Sequence, residues 1–208
     1  MPAQVVRYGD TREKLIALTF DDEGAPVRVG AILNALAEEN VRATMFLNGT
    51  WVAKNKEMAA RMARASHEIA NHSYTHRNFT LLGNDEIRRE LVRTREAIRA
   101  AGVTPSQLFR PPYGSYNAKV LEAAGAAGFP YAVLWSIDTK DWEGRTAASI
   151  ASTVLAQAKA GDIVLFHLHG RNTATALPRI IRGLKGRGFS FVTVSELLSR
   201  GTLSVVWS

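Results

Sequence analysis

Leu15-Ile-Ala-Leu-Thr-Phe-Asp-Asp22 decides the fold. Leu15 to Phe20 carry no charge and suit a buried strand, which then stops abruptly on two carboxylates followed by Glu23-Gly24. Pro26 fits the first turn of a helix, and Val29, Ile32, Leu33 and Leu36 fall on one helical face before Asn40. The next apolar run, Ala43 to Leu47, reads as a second strand, with a helical stretch after it to about Ala65 in which Met58 and Met62 fill core. Glu68 to Asn71 is a third short strand, and Asn84 to Ala100 a long polar helix with Ile87, Leu91 and Ile98 as its apolar stripe.

The same alternation continues to the C-terminal end. Leu108-Phe109 leads into Arg110-Pro-Pro-Tyr-Gly114, where consecutive prolines forbid a helix. Helices are expected at Asn117 to Ala127, at Thr146 to Lys159 and around Leu177, Ile180, Ile181 and Leu184. Strands are expected at Tyr131 to Ser136, Ile163 to Phe166 and Phe189 to Val194; the tail Leu203 to Trp207 has no assignment. About seven strands alternating with helices predict a parallel α/β architecture, a barrel or an open sheet, with its site at the strand ends.

Composition bounds the rest. The 208 residues are 46% hydrophobic and 22% charged, which fits one globular domain over residues 1–208. There is no cysteine, so disulfides and thiolate metal sites are excluded. The formal charge of +7 favours anionic partners. Arg88, Arg89, Arg93, Arg95 and Arg99 read as a solvated helix face, and without interleaved aromatic residues no nucleic-acid partner is expected. No apolar run is long enough for a membrane span, and Met1 to Asp10 lack the pattern of a signal peptide, which leaves the cytoplasm or an excised domain. No glycine-rich phosphate loop follows the first strand, against a nucleotide enzyme.

Five strand ends carry polar clusters: Asp21-Asp22, His72 with His76, Arg110 with Tyr113, Asp138 with Trp142, and His167. Two imidazoles four positions apart can face one metal ion, with Asp22 as third ligand and a fourth position open to water. Each cluster also has a plainer reading: a loop cap for the aspartates, an ion pair for Arg110, core packing for Trp142, a satisfied buried imidazole for His167.

The ordered set Thr19-Phe-Asp-Asp22, His72-Ser-Tyr-Thr-His76, Arg110-Pro-Pro-Tyr-Gly114, Asp138-Thr-Lys-Asp-Trp142 and Leu165-Phe-His167 resembles the five motifs of the polysaccharide deacetylases, carbohydrate esterase family 4, over residues 15–195. The resemblance implies a distorted (β/α) barrel, usually of seven parallel strands, in a single domain. It implies removal of acetyl groups from an N- or O-acetylated polysaccharide such as peptidoglycan, chitin oligomers or acetylxylan. It places a divalent metal, zinc first with cobalt, nickel or manganese as alternatives, on Asp22, His72 and His76. Asp21 becomes the base, Arg110 its orienting partner, His167 the acid and Asp138 the residue that holds and tunes His167. The Tyr113 N–H assists the oxyanion, and Trp142 and Leu165 wall the acetyl pocket. A monomer at the cell envelope or outside the cell is implied, with the cytoplasm as alternative.

Two departures are visible. Glu23 stands where the family commonly has glycine, and Leu168 where it often has aspartate, with His169 beyond, open to sugar contact or to solvent, the latter preferred. Rival classes are a carbohydrate-recognition domain that has lost turnover, against which the retained Asp21 and His167 speak, and a basic nucleic-acid-binding domain, whose affinity would fall steeply with salt.

Overall fold

The computed structural model describes residues 1–22 and 24–200; Glu23 and the tail Leu203 to Trp207 lie outside the described residues. Among the described residues, nine strands form one parallel sheet: β1 (Gln4–Val6), β2 (Leu15–Asp22), β3 (Thr44–Leu47), β4 (Glu68–Asn71), β5 (Leu108–Phe109), β6 (Tyr131–Val133), β7 (Ile137–Asp138), β8 (Ile163–His167) and β9 (Ser190–Phe191). The helices are α1 (Pro26–Glu38), α2 (Gly49–Lys54), α3 (Lys56–Arg64), α4 (Asn84–Ala100), α5 (Ala118–Ala126), α6 (Ala147–Gln157), α7 (Thr173–Gly186) and α8 (Val194–Arg200).

The strand order β1-β6-β5-β4-β3-β2-β8-β7, with β9 on β2, forces the sheet to curl. β6 and β7 lie near opposite ends of that path, yet only Leu134 to Ser136 separate them, and three residues span about 10 Å at most. The two edges must therefore approach each other. The linker bridges them directly: Leu134 N–H donates to Val6 on β1 and Ser136 N–H to Ile163 on β8. This closes a half-barrel into a distorted barrel, with residues 134–136 standing where a ladder would run.

Two expectations shift in detail, and one strand is unanticipated. The run Tyr131 to Ser136 is not one strand: β6 ends at Val133, and the chain crosses the seam before pairing again as β7. Phe189 to Val194 contributes only two strand residues, because α8 begins at Val194. β1, with just Val5 and Val6 to mark it, carries too short an apolar pattern to be read in advance.

Side-chain alternation sorts the strands into two layers. Leu15, Ala17, Phe46, Ala70, Leu108, Val133 and Ile163 pack together in the barrel interior. Ile16, Leu18 and Phe20 point outward against the helices, joined by Val29, Ile32, Leu33 and Leu36 of α1 and Ile180, Ile181 and Leu184 of α7. Each fully buried aliphatic side chain contributes about 1.5–3 kcal/mol relative to exposure. Asp22, Leu47, Asn71 and Phe109 share one register row, so His72 and Arg110, which follow Asn71 and Phe109, emerge on the same rim.

Candidate active site

The register brings the predicted residues to one end of the barrel. Asp21 pairs directly with His167 across β2 and β8. His72 and Arg110 each follow the row just described. A pocket of about 400 Å³ opens there, lined by every predicted site residue except Arg110. Trp135, Gly114 and His169 complete the wall.

Arg110 lies beneath, fully buried and behind Asp21. Alternation from Leu108 turns it inward, where Nε donates to Val133 O at 3.0 Å and a second nitrogen to Leu134 O at 2.9 Å. The remaining nitrogen bonds Thr19 Oγ1 at 2.9 Å and Asp21 Oδ1 at 2.5 Å. The guanidinium plane rests 4.1 Å from the Phe46 ring centroid. A cation that cannot deprotonate, locked by three carbonyl or hydroxyl acceptors, fixes one oxygen of Asp21 and leaves the other toward the pocket.

Asp22 points beside it. Its Oδ1 sits 3.1 Å from His72 Nε2 and 3.0 Å from His76 Nε2. One ligand atom from each of the three residues lies within 4.8 Å of the others. His72 Nδ1 lies 2.9 Å from the Arg110 carbonyl, which can only accept, so Nδ1 carries the hydrogen and Nε2 presents a lone pair. Asp22 Oδ1 is buried and receives no well-aligned hydrogen bond. A carboxylate oxygen, the His72 lone pair and the His76 Nε2 converging on one point fit a cation. Without one, burial pushes Asp22 up, but the two imidazoles outweigh it and hold the carboxyl below its ordinary range. For His72, burial pulls the pKa down, and the charges of Asp21 and Asp22 raise it above the usual value.

The acid side differs from expectation. His167 Nδ1 bonds Asp141 Oδ1 at 2.8 Å, and the Asp141 carboxylate also accepts from the His167 N–H and from Thr173 Oγ1. The assignment of Asp138 to that place is therefore corrected. Asp138 ends β7 and turns back on its own loop to accept from Lys140 N–H at 2.9 Å, leaving Asp141, one turn later, beneath the imidazole. Burial pulls His167 down, and the Asp141 bond together with the charges of Asp21, Asp141 and Asp22 raises it above its ordinary value. Burial pushes Asp141 up, and its bonds with His167 and Thr173 bring it below the carboxylate range.

His169 stands on the pocket wall with its side chain still 43% exposed, its Nδ1 3.7 Å from Asp22 Oδ2 and its ring 5.3 Å from that of His167. Arg28 donates to its carbonyl at 3.0 Å. Tyr113 and Trp142 are exposed at the mouth, Tyr113 edge-on to His76, and Leu165 is buried in the wall.

The loops are held in an unusual backbone state. Asp22, Ser73, His76, Tyr113 and Lys140 have φ between 49° and 74°, five of the seven non-glycine residues with positive φ among the described residues. Such conformations persist where surrounding contacts over-determine them, and they concentrate at functional sites. Trp135 and Asp141 were missed by sequence reasoning. Trp135 falls in a run that reads as strand, and Asp141 shares one motif with Asp138 with no signal to rank the two.

Residues 8–132 match the family model described as polysaccharide deacetylase. Peptidoglycan-N-acetylglucosamine deacetylase PgdA of Listeria monocytogenes is 36% identical over 185 residues, 88% of this chain and 39% of that protein. A peptidoglycan-N-acetylglucosamine deacetylase of Bacillus cereus is 36% identical over 191 residues, covering 89% of each. A solved carbohydrate esterase family 4 pseudoenzyme from Bacillus anthracis superposes with a TM-score of 0.89 at 33% identity, over 96% of this chain and 70% of that one. The chain thus spans about two fifths of the first of these curated relatives, and the barrel is shared by a protein described as a pseudoenzyme.

Proposed function

The chain belongs to the polysaccharide deacetylase family, and from that premise and the pocket geometry we propose that it is a metal-dependent hydrolase removing acetyl groups from a polysaccharide, peptidoglycan before chitin oligomers or acetylxylan. The observation that carries the proposal is the convergence of Asp22 Oδ1 with two imidazole nitrogens beside one carboxylate held by arginine and one imidazole held by aspartate.

Asp22, His72 and His76 would hold a divalent ion, zinc by donor set, with cobalt, nickel or manganese as alternatives. Bound there, the ion would supply Lewis-acid polarisation of the acetyl carbonyl and acidify water. Asp21 takes the proton of the attacking water on the oxygen that Arg110 leaves free. Arg110 keeps that carboxylate aimed. The Tyr113 N–H, on the pocket wall, donates to the developing oxyanion. His167, aligned by Asp141, delivers a proton from Nε2 to the leaving nitrogen or oxygen as the acyl bond breaks. Trp142 and Leu165 bound the space for the acetyl methyl, and Asp138 lines the sugar side.

The pair environments support this division of labour. An imidazole against a buried carboxylate stays protonated to higher pH, as the proposed acid requires. The net charge of +7 favours an anionic polymer at the cell envelope as substrate, met by a monomer.

Acetate release from peptidoglycan, chitin oligomers and acetylxylan, measured before chelation, after it and after zinc is restored, tests the reading. Release from peptidoglycan that chelator abolishes and zinc restores is expected. No acetate from any of the three after zinc restoration would sink it.

A further inference from the structure

We propose that Glu90 on α4 is a positioning residue for the two-histidine turn, setting the separation of His72 and His76 and through it the metal affinity of the site. The inference rests on the metal reading above. Glu90 is a buried carboxylate outside the pocket, 7% exposed, and none of the proposed chemistry uses it. Its Oε2 accepts from both Tyr74 N–H at 2.9 Å and Thr75 N–H at 2.8 Å, and its Oε1 accepts from Thr75 Oγ1 at 2.9 Å. These are the residues between the two imidazoles. Among the described residues, no ion pair involves it. Arg93, one turn along α4, stacks on the Tyr74 ring at 3.9 Å instead.

A buried carboxylate without a counter-cation is costly unless its hydrogen bonds are charge-assisted and complete. Here they are made with one segment, the turn itself. That turn needs such support, because Ser73 and His76 both adopt positive φ, at 68° and 58°. On its other side, Gly49 N–H and Thr50 N–H donate to the Ser73 and Tyr74 carbonyls, and a Cβ at Gly49 would stand 2.3 Å from the Tyr74 ring. The turn is therefore clamped between the first residues of α2 and one side chain of α4. Removing Glu90 frees two peptide N–H groups between the ligands and lets His76 relax from its strained φ. His72, which also bonds the Arg110 carbonyl, stays in place.

The test compares wild type with Glu90→Ala, Glu90→Gln and Glu90→Asp in the full chain, reading Zn2+ affinity by calorimetry and the visible spectrum of the Co2+ form, with the melting temperature of the metal-free protein alongside. Glu90→Ala is expected to weaken Zn2+ binding about 10–100-fold and to shift the Co2+ bands. Glu90→Gln should stay within about threefold of wild type, since its amide oxygen can take both N–H groups and its NH2 can donate to the Thr75 hydroxyl. Glu90→Asp, one methylene short, should resemble Glu90→Ala. Equal Zn2+ affinity in Glu90→Ala and wild type, even with a lowered melting temperature, overturns the proposal. So does the reverse order, Asp rescuing and Gln failing, which would mark a role of charge; that pair decides the matter if Glu90→Ala does not fold. Wild type binding no Zn2+ would overturn the metal reading itself.

Discussion

Asp138 and Asp141 are three positions apart, and only one of them touches His167. Sequence could name the motif but not rank its two carboxylates, because the choice depends on whether a two-residue strand ends in an Asx-type turn, which spacing does not encode. The difference is measurable. As proposed acid, His167 must be protonated, so activity is lost as pH rises through its pKa, and a raised pKa places that loss at higher pH. Asp141→Asn removes the partner that outweighs desolvation, so the alkaline limb of kcat/KM should move to lower pH, with kcat/KM falling about 10²–10⁴-fold. Asp138→Asn should leave the limb in place. A limb that moves with Asp138 and not with Asp141 would reverse the correction. The neighbouring aspartates separate in another way. Asp21→Asn should retain Zn2+ within a few-fold while kcat falls about 10²–10⁴-fold, whereas His76→Ala should lose Zn2+ in a calorimetric titration. Asp21→Asn with full turnover would remove Asp21 from the proposed role.

Elements were legible where the apolar pattern was long. β2 is readable as an unbroken apolar run, and α1, α4 and α7 because their buried positions recur near every 3.6 residues over three turns or more. The seam was not, because it is made of short pieces whose pairing partners are remote: β1 with β6, the linker 134–136, and the loop before β8. At that seam Gly161 has φ 86°, its carbonyl accepts from Gly9 N–H at 2.8 Å, and a Cβ on it would lie 1.9 Å from the Gly9 carbonyl oxygen. Two backbones meet with no room for a side chain and no flexible group to yield. Gly161→Ala should therefore destabilise the fold by about 2–4 kcal/mol, from strained φ and backbone displacement together. Urea unfolding measures it; a change below about 0.5 kcal/mol would show that the seam does not hold the barrel closed.

At the scale of the whole molecule, the strand ends opposite the pocket carry a different burden. His67, just before β4, is 7% exposed and accepts from Ala43 N–H through Nδ1 at 3.1 Å. Burial first, and then the charge of Arg42, lower its pKa from 6.5 to about 4. Unfolded, the imidazole takes up a proton near pH 6.5; folded, it stays neutral until about pH 4. Between those values the unfolded state binds more protons, so stability falls as pH falls. The contribution is fully present above pH 6.5 and is lost on the way to about pH 4, some 3 kcal/mol at about 1.4 kcal/mol per unit. Carboxylates such as Asp22 and Asp141, held below their ordinary range, add losses at lower pH, so the wild-type curve alone cannot isolate the histidine. His67→Gln can, because its amide oxygen can still accept from Ala43 and does not titrate. Unfolding free energies of the two proteins, measured from pH 7 to pH 4, should converge as pH falls, with wild type losing about 3 kcal/mol more than the variant. Parallel curves across that window would mean that the folded chain accommodates a charged His67.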